Sequence, residues 1–193
     1  MHQLVATYAA NLSRALGSPA LDRVPVLWDA LHVAWKEDRS IFICGNGGSA
    51  GNAEHMANDL LYGAGKANGR GMRVEALSAN TPVITCLAND LGYENIFSEQ
   101  LRVKAQKDDI LIVLSGSGNS ANVIKALEIA KVIGMKTFAI LGFSGGRCKD
   151  LTQVPIHFEI EDMQVAEDLQ QIIGHMCMQW LCRQVLPRGE RSE

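Results

Sequence analysis

"DILIVLSGSGNSANVIKAL", residues 109–127, decides the fold. Its first seven residues are nearly continuous in apolar side chains, as expected of a strand covered on both faces. Serines, glycines and an asparagine follow, and then a helical pattern that runs to about 133. A strand, a small-residue loop and a helix in that order are the opening of a βαβ unit. The same order recurs in "SIFICGNGGSAGNAEHMANDL", residues 40–60.

Working outward, strands are predicted at 40–45, 72–77, 109–115, 136–142 and 154–160. Helical patterns lie between them at about 49–62, 81–89, 95–105 and 118–133. A last helix at about 163–186 carries an apolar stripe at Val165, Leu169, Ile172, Ile173, Met176 and Trp180. This alternation predicts an α/β fold, a parallel sheet with helices on both sides. Helical patterns at about 3–16 and 21–37 have no strand of their own to cover, so they pack on the sheet or on another subunit. No linker or repeat divides the chain, which reads as one domain over residues 1–193, with 1–38 serving packing or oligomerisation.

The 193 residues suffice for a sizeable core. Apolar residues make up 47% and charged residues 20%, the balance of a soluble globular chain. A net charge of −3 carries no basic excess for nucleic acid. There is no apolar run long enough for a membrane span and no signal-peptide pattern, so no membrane partner and a cytoplasmic location are expected. The cysteines (Cys44, Cys86, Cys148, Cys177 and Cys182) form no C-x-x-C pair and read as reduced, mostly buried thiols.

Open parallel sheets bind ligands beyond the carboxyl ends of their strands. "GNGGSAG" and "SGSGNS" occupy two such positions. Glycines leave amide N–H groups uncovered, the helix start adds more, and serines add neutral donors. Together these make an anion site that needs no lysine. Neither loop is a dinucleotide fingerprint or a P-loop. The alternatives are a plain helix N-cap at Ser117 or Ser120 and a plain tight turn at Asn46-Gly47.

Two helices also carry polar faces. His55 and Asp59 lie four apart, as do Glu167, Gln171 and His175. Either set is a solvated face or part of a metal or acid–base site, since His-x-x-x-Asp can reach one ion. Glu167 and His175 are separated by about 12 Å of helix rise. Gln171 is the closer neighbour of His175, and spacing leaves the choice open.

"CGNGGSAGNAEHMA", "CLANDLGYENIFS" and "LSGSGNSANVIKAL" together resemble the sugar isomerase (SIS) domain, and within it the sedoheptulose 7-phosphate (phosphoheptose) isomerase family. The resemblance spans nearly the whole chain. It implies a flavodoxin-like three-layer sandwich around a five-stranded parallel sheet. It also implies a homotetramer with active sites shared between subunits. The implied reaction is ketose–aldose isomerisation, giving D-glycero-D-manno-heptose 7-phosphate for surface polysaccharide. The resemblance assigns Asn46, Gly47, Gly48, Ser49, Asn89 and Asp90 to substrate, and Ser115, Gly116, Ser117 and Ser120 to its phosphate.

Gly116 replaces the family's usual threonine, where a backbone N–H can serve. The family's metal and catalytic positions are His-x-x-x-Glu on the early helix and a glutamine eight residues before a histidine on the last. Here these are His55, Asp59, Glu167 and His175, the set expected to hold one zinc ion per subunit, with Asp59 and His175 moving the proton. Glu167 is also expected to contact substrate, and Gln164 falls where some members carry an aspartate. A register three residues further on would instead match Gln170 and Met178. Aspartate is roughly 1.5 Å shorter than glutamate. The other function class is a non-catalytic SIS binding protein, either a partner of a replication initiator or a sugar-phosphate sensor. An acid at 59 and a histidine at 175 favour the enzyme.

Overall fold

A computed structural model of the chain describes residues 2–184, with the backbone alone at 67 and 68. Its strands are β1 Ser40–Cys44, β2 Arg73–Ala76, β3 Ile110–Ser115, β4 Lys136–Leu141 and β5 Val154–His157. They form one five-stranded sheet in the order β2-β1-β3-β4-β5, with every pairing parallel. The chain therefore winds outward from β1 in one direction and from β3 in the other. The crevice between the carboxyl ends of β1 and β3 is the topological switch point, where doubly wound sheets bind their ligands. Both small-residue loops leave the sheet at that crevice.

The helices are α1 Gln3–Leu16, α2 Val24–Lys36, α3 Gly48–Asn58, α4 Ala64–Asn68, α5 Thr81–Leu91, α6 Ser98–Lys104, α7 Ala121–Ile133, α8 Gly146–Leu151 and α9 Met163–Leu181. Alternation along the strands divides the core in two. Ile41, Ile43, Ile110, Ile112, Leu114, Phe138 and Ile140 face α2, α3 and α9. Phe42, Cys44, Leu111, Val113, Ala139 and Leu141 face α6, α7 and α8. Because both faces are covered, the central strand β3 carries no polar alternation, whereas the edge strand β2 alternates Arg73 and Glu75 with Val74 and Ala76.

The two N-terminal helices differ in burial. α2 buries Leu27, Leu31 and Trp35 against the sheet. In α1 only Ala15 is buried, and Leu4 and Val5 are exposed. The Tyr8 hydroxyl ties α1 to α9 by donating to Asp168 Oδ2 at 2.6 Å, which pushes the Tyr8 pKa up to about 12. All five cysteines are free thiols. Burial pushes Cys148 up to about 11 and Cys177 up to about 12. Among the described residues no helix is long and apolar enough to cross a membrane.

The predicted helix at 49–62 is interrupted. It runs as α3 to Asn58, passes through a π turn at Asp59–Gly63, and resumes as α4. In the π turn the Ala64 N–H reaches the Asp59 carbonyl, five residues back. The Leu60 carbonyl is taken by the Met72 N–H at 3.2 Å instead. Gly71 makes that approach possible, because a Cβ there would run into the Leu61 carbonyl.

Other elements also begin or end away from their predicted limits. The 95–105 pattern resolves into a 3-10 turn, Tyr93–Asn95, and α6. The 118–133 helix begins only at Ala121, and the last helix ends at Leu181, while the predicted end at 186 lies outside the described residues. The short α8 opens on Gly145 and Gly146, both at positive φ, so its sequence reads as a turn.

Candidate active site

The loops after β1 and β3 enclose a cavity of about 280 Å3 at the switch point. Asn46, Gly47, Gly48, Ser49, Ser115, Gly116, Ser117 and Ser120 all line it, joined by Leu114, Met163 and Glu167. The serines have different tasks. Ser115 Oγ accepts from the Gly118 N–H at 3.0 Å and Ser117 Oγ from the Asn119 N–H at 3.3 Å, so both shape the loop. Ser120 stands at the N-cap position of α7 but makes no side-chain cap bond, so its hydroxyl is not tied to the helix's own amides. Gly118 has φ of 67°, and a Cβ there would strike the Gly145 carbonyl. The loop after β4 thus closes on the phosphate-type loop, a contact the sequence did not suggest.

Two networks missed by sequence reasoning hold the loops. Asn46 Oδ1 accepts from Asn122 Nδ2 at 2.8 Å and from the Tyr93 hydroxyl at 2.9 Å. Asn46 Nδ2 donates back to Asn122 Oδ1 at 2.9 Å. Asn46 therefore locks the first loop to α7. On the other side, Gln170 Nε2 donates to Ser49 Oγ at 3.0 Å. Asn52 Nδ2 bridges Gln170 Oε1 at 3.0 Å and the Glu167 carbonyl at 2.9 Å. Asn122 and Gln170 are each 1% exposed. A polar residue at a buried helical position was the available signal.

Two departures from the family pattern now have physical partners. A Cβ at Gly116 would run into Met163 Sδ, so the methionine takes the space beside the loop that a threonine would need. A Cβ at Gly48 would run into the Glu167 carboxylate. Glu167 is half-buried and lies against the first turn of α3, on the cavity wall.

His55, Asp59 and His175 converge elsewhere on the same pair of helices. His55 Nε2 lies 3.2 Å from His175 Nε2. Asp59 Oδ2 lies 3.5 Å from His55 Nε2 and 3.8 Å from His175 Nε2. Gly174 lies at this crossing, where a Cβ would come to 2.9 Å from the terminal methyl of Met56, so α3 and α9 pack closely beside the two imidazoles. Met178, the alternative to His175, packs instead against Gly63 in the π turn.

Three donors held near 2.1 Å from one tetrahedral ion would be roughly 3.4 Å apart. The observed edges fall close to that spacing, and two imidazoles with a carboxylate suit a divalent transition metal. Among the described residues this is the group of histidine, cysteine and acidic side chains that could hold an ion. Glu167 is not in it. Gln171 is at its edge, with Nε2 3.1 Å from His175 Nε2.

Asn89 and Asp90 do not line the cavity in this chain. They are exposed on the last turn of α5, with Asn89 Nδ2 donating to Asp90 Oδ1 at 2.7 Å. The remaining histidines lie outside this group, and His32 Nδ1 is buried without a hydrogen-bond partner. His2 Nδ1 caps α1 by accepting from the Leu4 N–H, His157 Nε2 meets the Phe143 carbonyl at 2.8 Å, and His32 packs edge-on against Trp180.

Residues 8–142 match the model of the SIS domain, and the chain belongs to that family. A phosphoheptose isomerase of a Nitratiruptor species is 41% identical over 143 residues, covering 74% of this chain and 76% of the relative. One from Helicobacter pylori is 40% identical over 136 residues, 70% of each chain. The solved phosphoheptose isomerase of Neisseria gonorrhoeae superposes with a TM-score of 0.85 at 26% identity, covering 93% of this chain and 97% of that one.

Proposed function

We propose that this chain is a ketose–aldose isomerase that converts sedoheptulose 7-phosphate to D-glycero-D-manno-heptose 7-phosphate. The observation that carries the reading is the spacing of two sites along one helix pair. The cavity sits at the start of α3, and His55 lies seven residues further on, about 10 Å of helix rise. From phosphorus to C1 an open-chain heptose 7-phosphate has eight single bonds, a reach of roughly 9–10 Å by analogy with an extended backbone. A phosphate in the serine–glycine cavity thus brings C1 and C2 to the level of the histidines.

Isomerisation moves one proton between C1 and C2 and one between the two oxygens, with no net redox change. Asp59 and His175 are the acid–base pair for these transfers, each through an atom other than the one it would give to an ion. Ser120, the Gly116 amide and the shaped loop around Ser115 and Ser117 hold the phosphate, and Glu167 accepts hydrogen bonds from sugar hydroxyls. His55, Asp59 and His175 would hold zinc, one ion per subunit, and the ion would supply Lewis-acid polarisation of the carbonyl. The enzyme is cytoplasmic and spans a single domain, residues 1–193.

The test is conversion of sedoheptulose 7-phosphate, followed by NMR of the aldose, with unphosphorylated sedoheptulose as control. Tight binding of the phosphate ester without conversion would support the non-catalytic alternative. Ser120→Ala and Ser117→Ala should each weaken substrate binding by about 0.5–1.5 kcal/mol, and more if the bond is charge-assisted. If the unphosphorylated sugar binds as tightly as the ester, the cavity is not a phosphate site.

The enzyme is a homotetramer with shared sites. Supporting this, α5 buries no residue fully, and Leu4, Val5, Leu61, Tyr62, Leu91 and Tyr93 are exposed apolar side chains. Sedimentation should give four times the monomer mass at micromolar concentration. A stable monomer would remove the shared-site part of the reading.

A further inference from the structure

We propose that Tyr93 is a positioning residue of the sugar-phosphate site, and that its hydroxyl fixes Asn46 as a hydrogen-bond donor to the substrate. This rests on the function proposed above and adds to it a residue from outside the cavity wall.

The series of bonds starts in the backbone. Val123 is in the first turn of α7, where amide N–H groups have no intrahelical partner. Its N–H donates to Asn122 Oδ1 at 3.0 Å. That contact sets which end of the Asn122 carboxamide is oxygen, because only the oxygen accepts. Asn122 Nδ2 is then left to donate to Asn46 Oδ1 at 2.8 Å, and Asn46 Nδ2 donates back to Asn122 Oδ1 at 2.9 Å. A backbone amide thus orients Asn122, and Asn122 orients Asn46.

Tyr93 completes the arrangement. Its hydroxyl lies 2.9 Å from Asn46 Oδ1 and donates to it. Both lone pairs of that oxygen are now taken, and one Nδ2 hydrogen is taken by Asn122. What Asn46 has left for the cavity it lines is the second Nδ2 hydrogen. A phosphate, hydroxyl or carbonyl oxygen of the substrate can accept it. Without the phenol, Asn46 Oδ1 regains a lone pair and the carboxamide loses one of its two anchors.

The ring itself is 55% exposed, so packing does little to hold it. The backbone that carries it is fixed instead. The Asn95 N–H donates to the Gly92 carbonyl at 3.0 Å, and Lys125 Nζ donates to Asn95 Oδ1 at 3.0 Å. Ile96 and Phe97, which follow, are each 1% exposed. α7 therefore holds both partners, Asn46 through Asn122 and the Tyr93 turn through Lys125 one turn further on. The phenol is delivered to Asn46 by the same helix that orients it.

The test compares the parent, Tyr93→Phe, Asn46→Ala and the double variant. Affinity for sedoheptulose 7-phosphate is read from the rise in melting temperature with ligand concentration, and kcat and KM are measured beside it. Phenylalanine keeps the ring and removes only the donor, so the ligand-free melt should match the parent. Tyr93→Phe should weaken binding and raise KM by about two- to tenfold, the range for one hydrogen bond. Its kcat should stay within about twofold, because a contact at the cavity, remote from the reacting carbons, is made equally in ground state and transition state. On the Asn46→Ala background the same substitution should add no further loss, because Tyr93 acts through Asn46. Parental affinity in Tyr93→Phe would overturn the assignment, as would a loss of kcat with affinity unchanged. An equal loss on both backgrounds would also overturn it, by showing that the phenol acts without Asn46. The affinity readout needs no turnover, so it decides the role of Tyr93 even in a protein that binds without converting. A parent that binds no sedoheptulose 7-phosphate would overturn the function reading itself, a result seen before any variant is compared.

Discussion

In His175→Ala, turnover of sedoheptulose 7-phosphate falls by about 10²–10⁴-fold, the range for loss of a general acid–base group, and zinc is released with it. The imidazole is the meeting point of the site. Its Nε2 contacts His55 Nε2 at 3.2 Å and Gln171 Nε2 at 3.1 Å, with Asp59 Oδ2 at 3.8 Å. Removing it opens the group and takes away one of the two proton-moving side chains together. The substitution should leave the fold intact, because residue 175 is exposed while Val165, Leu169, Ile173 and Cys177 hold α9 in the core. Alanine is also the best helix former. Steady-state kinetics, metal content and a thermal melt on one preparation decide the matter. Parental turnover with parental zinc would show that the convergence of the two imidazoles is incidental. Lost turnover with retained zinc would keep His175 as an acid–base group and transfer the metal to other ligands.

The sheet was legible because both of its faces are covered. Ile110 to Leu114 are fully buried, which requires a continuous apolar run, and such runs stand out in sequence. The two loops were legible for a related reason. Glycine and serine at a strand-to-helix junction have few uses other than a tight backbone path that exposes amides. The topology then brought both to one crevice. What the sequence concealed were features set by contacts between distant segments. The π turn at Asp59–Gly63 depends on Met72 taking the Leu60 carbonyl and on the missing side chain of Gly71. The two residues lie beyond α4, eight and nine positions past the turn. Likewise the clamp from Asn46 to Asn122 joins positions 76 apart, and each residue alone reads as loop or cap polarity.

The metal group was partly legible. Four-residue spacing put His55 beside Asp59 and Gln171 beside His175, but no spacing argument could say that the two helices cross at those residues. The crossing is a tertiary contact, made where Met56 of α3 packs against Gly174 of α9. The family pattern supplied Glu167 as a ligand, and the pattern carries a register but not a side-chain direction. The structure turns the carboxylate toward Gly48 because glycine at that position leaves room for it. The exchange of threonine for Gly116 has the same logic, since Met163 fills the space from another helix. Departures from a family pattern become interpretable once the neighbour that compensates for each is identified.

Asp59 is where the family pattern and the geometry of this chain give opposite expectations, so its variants separate them. Asp59→Asn keeps the size and removes the charge, and should cost turnover about 10²–10⁴-fold as an acid–base loss. Asp59→Glu is more informative. The family resemblance, with glutamate at this position, would have the longer acid restore a base that aspartate holds too far back. The distances argue otherwise. Asp59 Oδ2 already stands 3.5 Å and 3.8 Å from the two imidazole nitrogens, close to the edges of a shared coordination tetrahedron. Another methylene advances the carboxylate by roughly 1.5 Å, into the space the imidazoles share. The backbone has no easy retreat, since the Asp59 carbonyl is held in the π turn by the Ala64 N–H and the next carbonyl is held by Met72. A misplacement of ~1 Å is worth on the order of a hundredfold in rate, so Asp59→Glu should lose activity by about that factor. Kinetics on the heptose phosphate, with zinc affinity measured beside it, make the comparison. A faster enzyme with zinc retained would mean that the substrate, and not the pair of histidines, sets the reach required at residue 59.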